Sequence, residues 1–258
     1  GLFWSGVLHV TPDFLESACT QAVIAIAILY FAYLLLGAGL SVAERRRIRV
    51  VLVLFMASVL FWAGYEQAGS SLNLFAQRYT DRHLGGFEVP AAWLQSLDAI
   101  FIIAFGSLFS MLWVALARRR LDPSTGLKFV LALSGIAFGF AVMAAAARLV
   151  VGGQRVGMGW LTTTFLLHTW AELCLSPVGL SAVSKLVPTR FVGQSIGIFF
   201  VSLSLGNLIA ARIAGGFDPA NVAAMPGQFM FIFWFCSASA AALAVLLPWL
   251  RRWSGGVT

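Results

Sequence analysis

The chain has 258 residues, of which 60% are hydrophobic and only 10% charged, with a formal net charge of +7. Soluble domains carry about 25% charged residues, so composition excludes an ordinary soluble domain and implies an all-α polytopic membrane protein. The basic residues stand in short clusters between apolar runs, without a basic–aromatic tract, which argues for the lipid bilayer and against nucleic acid as partner.

Residues 1–16 are short and mixed, with Thr11-Pro12-Asp13 as a helix-start signal. The chain opens on Gly1 and shows no signal-peptide pattern, so the expectation is a fragment or a processed piece. The first span is expected over Ala18–Leu40, long enough for a hydrocarbon core of about 30 Å. A short basic connection, AERRRIR, follows. The second span is expected from Val50 through Gln77, the third over Ala91–Ala117 and the fourth over Leu127–Val151. The fifth covers Trp160–Leu186, the sixth Phe191–Gly215 and the seventh Phe229–Leu250. Arg78–Pro90 and the stretch GGFDPANVAAMPG read as exposed loops.

If AERRRIR lies in the cytoplasm and the spans alternate, twelve of the 17 Lys and Arg fall on the cytoplasmic side and five on the other. That bias places the C-terminus in the cytoplasm and the N-terminus outside. Cys19, Cys174 and Cys236 all fall in spans, with no CxxC pair or metal-ligand spacing, and are expected to pack as apolar residues. No metal or organic cofactor is implied.

Three carboxyls lie within the apolar spans: Glu66, Asp98 and Glu172. An ionisable residue at membrane depth is costly and is a functional-site hypothesis by default. On a continuous second-span helix, Trp62, Glu66, Gly69, Ser70, Asn73 and Gln77 share one narrow arc, with Phe61, Tyr65, Leu72 and Phe75 on another side. On the fifth span, Phe165, His168, Thr169, Glu172, Ser176 and Gly179 share a face. His168 and Glu172 are neighbours at i, i+4. They read as a hydrogen-bonded couple, a proton relay or half of a metal site. Pro177 is expected to kink this helix. Gly135 and Gly139 form a GxxxG, expected to let another helix approach closely, and Asn207 is expected to need a partner in lipid.

The stretch FWAGYEQAGSSLNLFAQR, followed by PAAWLQSLDAIFII, AELCLSPVGLSAVSKLVPTRF and Gly206-Asn207, resembles the proton-coupled oligopeptide transporters of the major facilitator superfamily. The likeness covers nearly all of residues 44–253. It implies a C-terminal six-helix bundle, residues 44–258, preceded by a periplasmic segment and one extra transmembrane helix in residues 1–43. It also implies roles. Glu66 matches a glutamate of proton coupling and gate ion pairs, with His168 beside the other helix's carboxyl as a further coupling candidate. Glu172 matches the glutamate that receives a peptide's amino terminus, Trp62 an aromatic wall, and Phe199 a position where many members carry Trp. Ser176 lies on the same substrate face. Asp98 stands where the family usually has Asn, so either Asp98 is protonated or specificity differs. Gln77 replaces a common acidic residue. The partners implied are small peptides, protons as coupling ion and an N-terminal half of six helices; the location implied is a bacterial inner membrane. The isolated chain is not expected to transport. A same-fold carrier of nitrate, another metabolite or a drug stays open on account of Asp98, as does a non-transporting accessory protein. An enzyme is not expected, because no HExxH, paired-aspartate or Ser–His–Asp pattern occurs.

Overall fold

The computed structural model describes residues 12–216 and 221–255. Among them, seven helical spans are long and apolar enough to cross a membrane. The segment preceding Pro12, including Thr11 of the start signal, and residues 217–220 of the GGFDPANVAAMPG loop lie outside the described residues.

Helix α1 runs from Pro12 to Ala32 and widens into a π-helical turn over Tyr33–Gly37. Helix α2 then spans Val42–Tyr65. It begins well before Val50 because Ser41 closes its first turn. The Ser41 side chain accepts from the Glu44 amide at 3.3 Å, and Glu44 Oε2 accepts from the Ser41 amide at 2.8 Å. This reciprocal cap satisfies two of the free amides at a helix start. The arginines expected in a connection therefore ride on the first turns of α2.

The expected continuous helix through Gln77 is not formed. Glu66–Gly69 is a tight 3₁₀ turn, Ser70 departs from helical geometry at φ −120°, ψ −95°, and α3 restarts over Ser71–Tyr79. The single polar arc from Trp62 to Gln77 is thereby split, and Gln77 is exposed. Helices α4 (Ala91–Arg118), α5 (Thr125–Val151), α6 (Gly159–Leu186), α7 (Val192–Gly215) and α8 (Met225–Ser254) complete the bundle. α6 stays helical through Pro177.

The Arg78–Pro90 stretch is more ordered than a plain loop. Strands β2 (His83–Leu84) and β3 (Phe87–Glu88) form an antiparallel hairpin, paired His83 to Glu88 and Leu84 to Phe87. Its two-residue turn is Gly85-Gly86, at φ +55° and +89°, the backbone sign that a tight hairpin requires. Arg82 bonds Glu88 Oε1 at 2.5 Å. Strand β1 (Thr80–Asp81) pairs in parallel with β4 (Val156–Gly157), tying this connection to the one between α5 and α6.

Helix α5 is the centre, packed on α6 and α8, while α2 packs on α7 and α8. In lipid there is no hydrophobic drive between helices, so close contact of small residues and internal hydrogen bonds must hold them. Gly135 meets Ala171, as the GxxxG predicts, and Gly139 meets the His168 ring. At the α2–α7 crossing, a Cβ on Gly206 would lie 2.4 Å from Trp62 Cβ and 3.0 Å from the Ala63 amide nitrogen. Behind that contact, Ser58 and Ser202 share a fully buried 2.8 Å hydrogen bond. Cys174 and Cys236 are buried packing residues, whereas Cys19 is exposed on α1. Asn207 faces outward on α7. Helix α1 lies against α7, where Tyr30 Oη bonds Ser195 Oγ at 2.8 Å and Arg190 donates to the Ala38 carbonyl at 3.0 Å.

Because Gly206 meets backbone as well as side chain, Gly206→Val should force α2 and α7 apart. The expected loss is about 1–3 kcal/mol, read as a lower denaturant midpoint in detergent micelles. Gly197→Val, at a site with open space around it, should leave that midpoint nearly unchanged.

Candidate functional site

The carboxyls meet where α2 ends. Tyr65, the last residue of α2, places its hydroxyl 2.6 Å from Asp98 Oδ2 and 2.6 Å from Glu172 Oε2. Asp98 comes from the second turn of α4 and Glu172 from the middle of α6. Thr169, one turn before Glu172, places Oγ1 2.6 Å from Asp98 Oδ1 and 2.8 Å from the Phe165 carbonyl. One phenol therefore joins three helices. Glu66 is half-buried beside this group, with Asp98 as its charged neighbour, and Glu172 has both Asp98 and Glu66 as charged neighbours. Among the described residues, these three carboxyls make no ion pair.

The turn that presents Glu66 is held by Gln67, which is completely buried. Gln67 Nε2 donates to the Ala210 carbonyl on α7 at 3.0 Å, and its Oε1 accepts from Ser71 at 2.7 Å. Breaking a helix in lipid frees backbone groups, which must find partners inside the protein. Gln67 ties the broken stretch to α7 and to the start of α3 and fixes the geometry of the turn.

The His168–Glu172 hydrogen bond read from their i, i+4 spacing is not made. His168 is 1% exposed and makes no side-chain hydrogen bond; its ring is turned to α5, towards the Ile136 backbone. Its ring lies 5.2 Å from that of Phe140 and 6.2 Å from that of Tyr65, centroid to centroid, and a Cβ on Gly139 would stand 2.4 Å from Nε2. Contacts from other helices draw the two side chains apart: His168 packs against Gly139 and Phe140 of α5, and Glu172 bonds Tyr65. Among the described residues, no cluster of three His, Cys, Asp or Glu could hold a metal ion.

Glu172 borders two cavities. The larger, about 520 Å³, lies between α4 and α6 and runs past Ser176 and Trp113 to Lys128 and Lys185. The smaller, about 240 Å³, is walled by Trp62, Phe199, Ser176 and Ser202. Ser176 Oγ is buried without a protein partner. Phe199 seats against Gly179, where an added Cβ would be 2.7 Å from its ring. Glu172, Trp62, Ser176 and Phe199 are thus brought together around cavity space. Asp98 and Glu66 join Glu172 through polar contact and charge instead, and His168 stays behind Tyr65. Tyr65 and Gln67 were missed by the arc argument, which assigned Tyr65 to the apolar side. The available signal was chemical: a buried tyrosine needs a partner for its hydroxyl.

Residues 8–250 match the family model described as the POT family. The chain is 40% identical over 253 residues, 97% of its length, to the peptide transporter YePEPT of Yersinia enterocolitica subsp. palearctica serotype O:3 (strain YE-P4), and covers 50% of that protein. It is 28% identical over 77% of its length to a di-/tripeptide transporter of Lactococcus lactis subsp. cremoris, covering 40% of it. A crystal structure of a peptide transporter POT in complex with sulfate superposes with a TM-score of 0.85 at 30% identity, over 98% of this chain and 50% of that one. The same fold occurs, at 23% identity and a TM-score of 0.83, in a POT family transporter in complex with 5-aminolevulinic acid, over 96% of this chain and 50% of that one. The chain spans about half the length of these relatives.

Gln67→Leu keeps the volume but leaves the Ser71 hydroxyl and the Ala210 carbonyl unpaired by the side chain. It should destabilise by about 1–3 kcal/mol, measured by denaturant unfolding in micelles, and should loosen the Glu66 turn, seen as faster amide exchange over Glu66–Ser71.

Proposed function

The chain belongs to the POT family, and we propose that it forms the C-terminal six-helix half, with one extra helix, of a proton-coupled importer of di- and tripeptides. The observation that carries this reading is the Glu172 carboxyl at the junction of two cavities, with Trp62, Phe199 and Ser176 around it. A carboxylate beside aromatic walls and a free hydroxyl suits a small ligand with an ammonium end. The charge-assisted bond would orient the peptide's amino terminus, and Trp62 and Phe199 would cover apolar side chains. The likeness to peptide transporters supports the substrate class.

Glu66 serves proton coupling. A carboxyl shielded from water holds a proton until a cation comes within reach, and then releases it. Glu66 is half-buried, makes no ion pair among the described residues, and sits on a turn rather than inside a helix. Its cationic partner belongs to the other six-helix half, which closes over this face in alternating access between the two halves. Helix α4 presents long apolar side chains such as Ile103 and Met111 outward, for lipid and for that half. The bilayer is the bacterial inner membrane, with the C-terminus cytoplasmic as the arginine distribution directs. The coupling ion is the proton, and no other cofactor takes part.

In the complete transporter, Glu66→Gln should abolish proton-driven peptide accumulation in proteoliposomes while counterflow continues. Accumulation at the unsubstituted rate would refute this role. Glu172→Ala should raise KM roughly tenfold or more for peptides with a free amino terminus, the effect of losing one charge-assisted hydrogen bond. Peptides with a blocked amino terminus should change little, and an equal loss for both would argue against the assignment.

A further inference from the structure

The contacts around Tyr65 can be counted hydrogen by hydrogen. Its hydroxyl approaches Asp98 Oδ2 and Glu172 Oε2, each at 2.6 Å. Oxygen pairs at that distance are hydrogen bonds and need a hydrogen between them. The phenol owns one hydrogen and an ionised carboxylate owns none. Two contacts need two hydrogens, so the second must come from a carboxyl. With both carboxyls ionised, a bare anionic oxygen would face a phenol lone pair in a water-poor site.

One added proton satisfies the two contacts of Tyr65, to Asp98 and to Glu172, in two arrangements. In the first, Glu172 carries it on Oε2 and donates to Tyr65, which donates to Asp98 Oδ2. Asp98 is then the carboxylate and also accepts from Thr169 at 2.6 Å, while the Phe165 carbonyl, 2.8 Å from the same hydroxyl, keeps its helical backbone amide donor. In the second, Asp98 carries the proton on Oδ2 and donates to Tyr65, which now donates to Glu172. Passing from the first to the second breaks the O–H bonds of Glu172 and Tyr65 and forms those of Tyr65 and Asp98. Net charge is unchanged, and only hydrogens move.

A second observation is independent of these contacts. His168, 1% exposed with its ring 6.2 Å from that of Tyr65, is turned towards the Ile136 backbone of α5 and makes no hydrogen bond or ion pair to Asp98 or Glu172. The basic group nearest in sequence thus gives neither carboxyl a hydrogen or an ion pair. The other charged groups around the cluster are Glu66, an acid, and Lys128 and Lys185 towards the far end of the larger cavity. A buried like-charge pair with no cation on it is strongly disfavoured.

We propose that Asp98, Tyr65 and Glu172 form one proton-binding site, in which the Tyr65 hydroxyl passes a single shared proton between the two carboxyls. Asp98 lies near the hairpin end of α4 and Glu172 borders the cavities, so the site links one membrane face to the cavity space. Its use in transport rests on the function proposed above; the shared proton does not.

The test is a pH titration of the full chain in lipid nanodiscs, without peptide, with ¹³C in the Asp and Glu side-chain carboxyls and with Glu66→Gln throughout, which removes the third neighbouring carboxyl. Asp98→Asn and Glu172→Gln assign the two signals. Coupled groups titrate as a pair, so both carbons should move in each of two steps. Tyr65→Phe should bring the two steps closer together, because only through-space coupling of the two carboxyls then remains. Asp98→Asn, which keeps the side-chain shape, should leave Glu172 with one step, and helical circular dichroism checks that each variant is folded. A separate single step for each carbon with Tyr65, Asp98 and Glu172 all intact would overturn the proposal. So would a separation between the steps that Tyr65→Phe leaves unchanged, or two steps for Glu172 in Asp98→Asn. Loss of the peptide-import reading in the complete transporter would leave this titration unchanged.

Discussion

In a bilayer, a polar group has only the protein to bond to. Tyr65 shows what that constraint builds. Its hydroxyl is the meeting point of α2, α4 and α6, through two 2.6 Å contacts to carboxyls that have no ion pair among the described residues. Helix α4 packs mainly on α6 and leaves most of its surface outward, so this junction and Thr169 are polar anchors holding it to the bundle. The same junction orients Glu172 towards the cavities and brings Asp98 within charge range of Glu66.

The break in the second span obeys the same rule. A turn at Glu66–Gly69 would be prohibitive if its groups faced hydrocarbon, but Gln67 bonds α7 and Ser71 from a fully buried position. Close packing makes this possible. Gly206 lets α7 approach the backbone beside Trp62, which brings the Ala210 carbonyl within reach of Gln67. Packing and polar pairing are one arrangement here, and the position of Trp62 at the smaller cavity depends on both.

Helix α1 is a different kind of element. Its outward residues, such as Ile28 and Leu36, are apolar and exposed, and its polar ties to the bundle run through Tyr30 to Ser195 and through Arg190 to the end of its π-helical turn. It adds a lipid-facing layer outside α7 and, among the described residues, contributes no group to the carboxyl cluster.

Long apolar runs and clustered arginines are legible residue by residue, because span length and charge cost are local properties. That is why the seven spans, the three membrane carboxyls, the close approach at Gly135 and the family likeness could all be read in the chain. The face shared by Thr169, Glu172, Ser176 and Gly179 was legible too, since α6 keeps one helical period throughout. The partner of each polar group was not. An angular projection assumes an unbroken helix, and α2 stops at Tyr65 because tertiary bonds of Gln67 make stopping affordable. The His168–Glu172 spacing permitted a bond, yet Tyr65 offered Glu172 a shorter-range partner from another helix, and His168 packed against Gly139 instead. Residue chemistry along the chain is enough to say which groups must be kept from lipid. Which of them meet is a property of the folded bundle, because hydrogen-bond partners there come from helices distant in the chain, and their distances are set by packing.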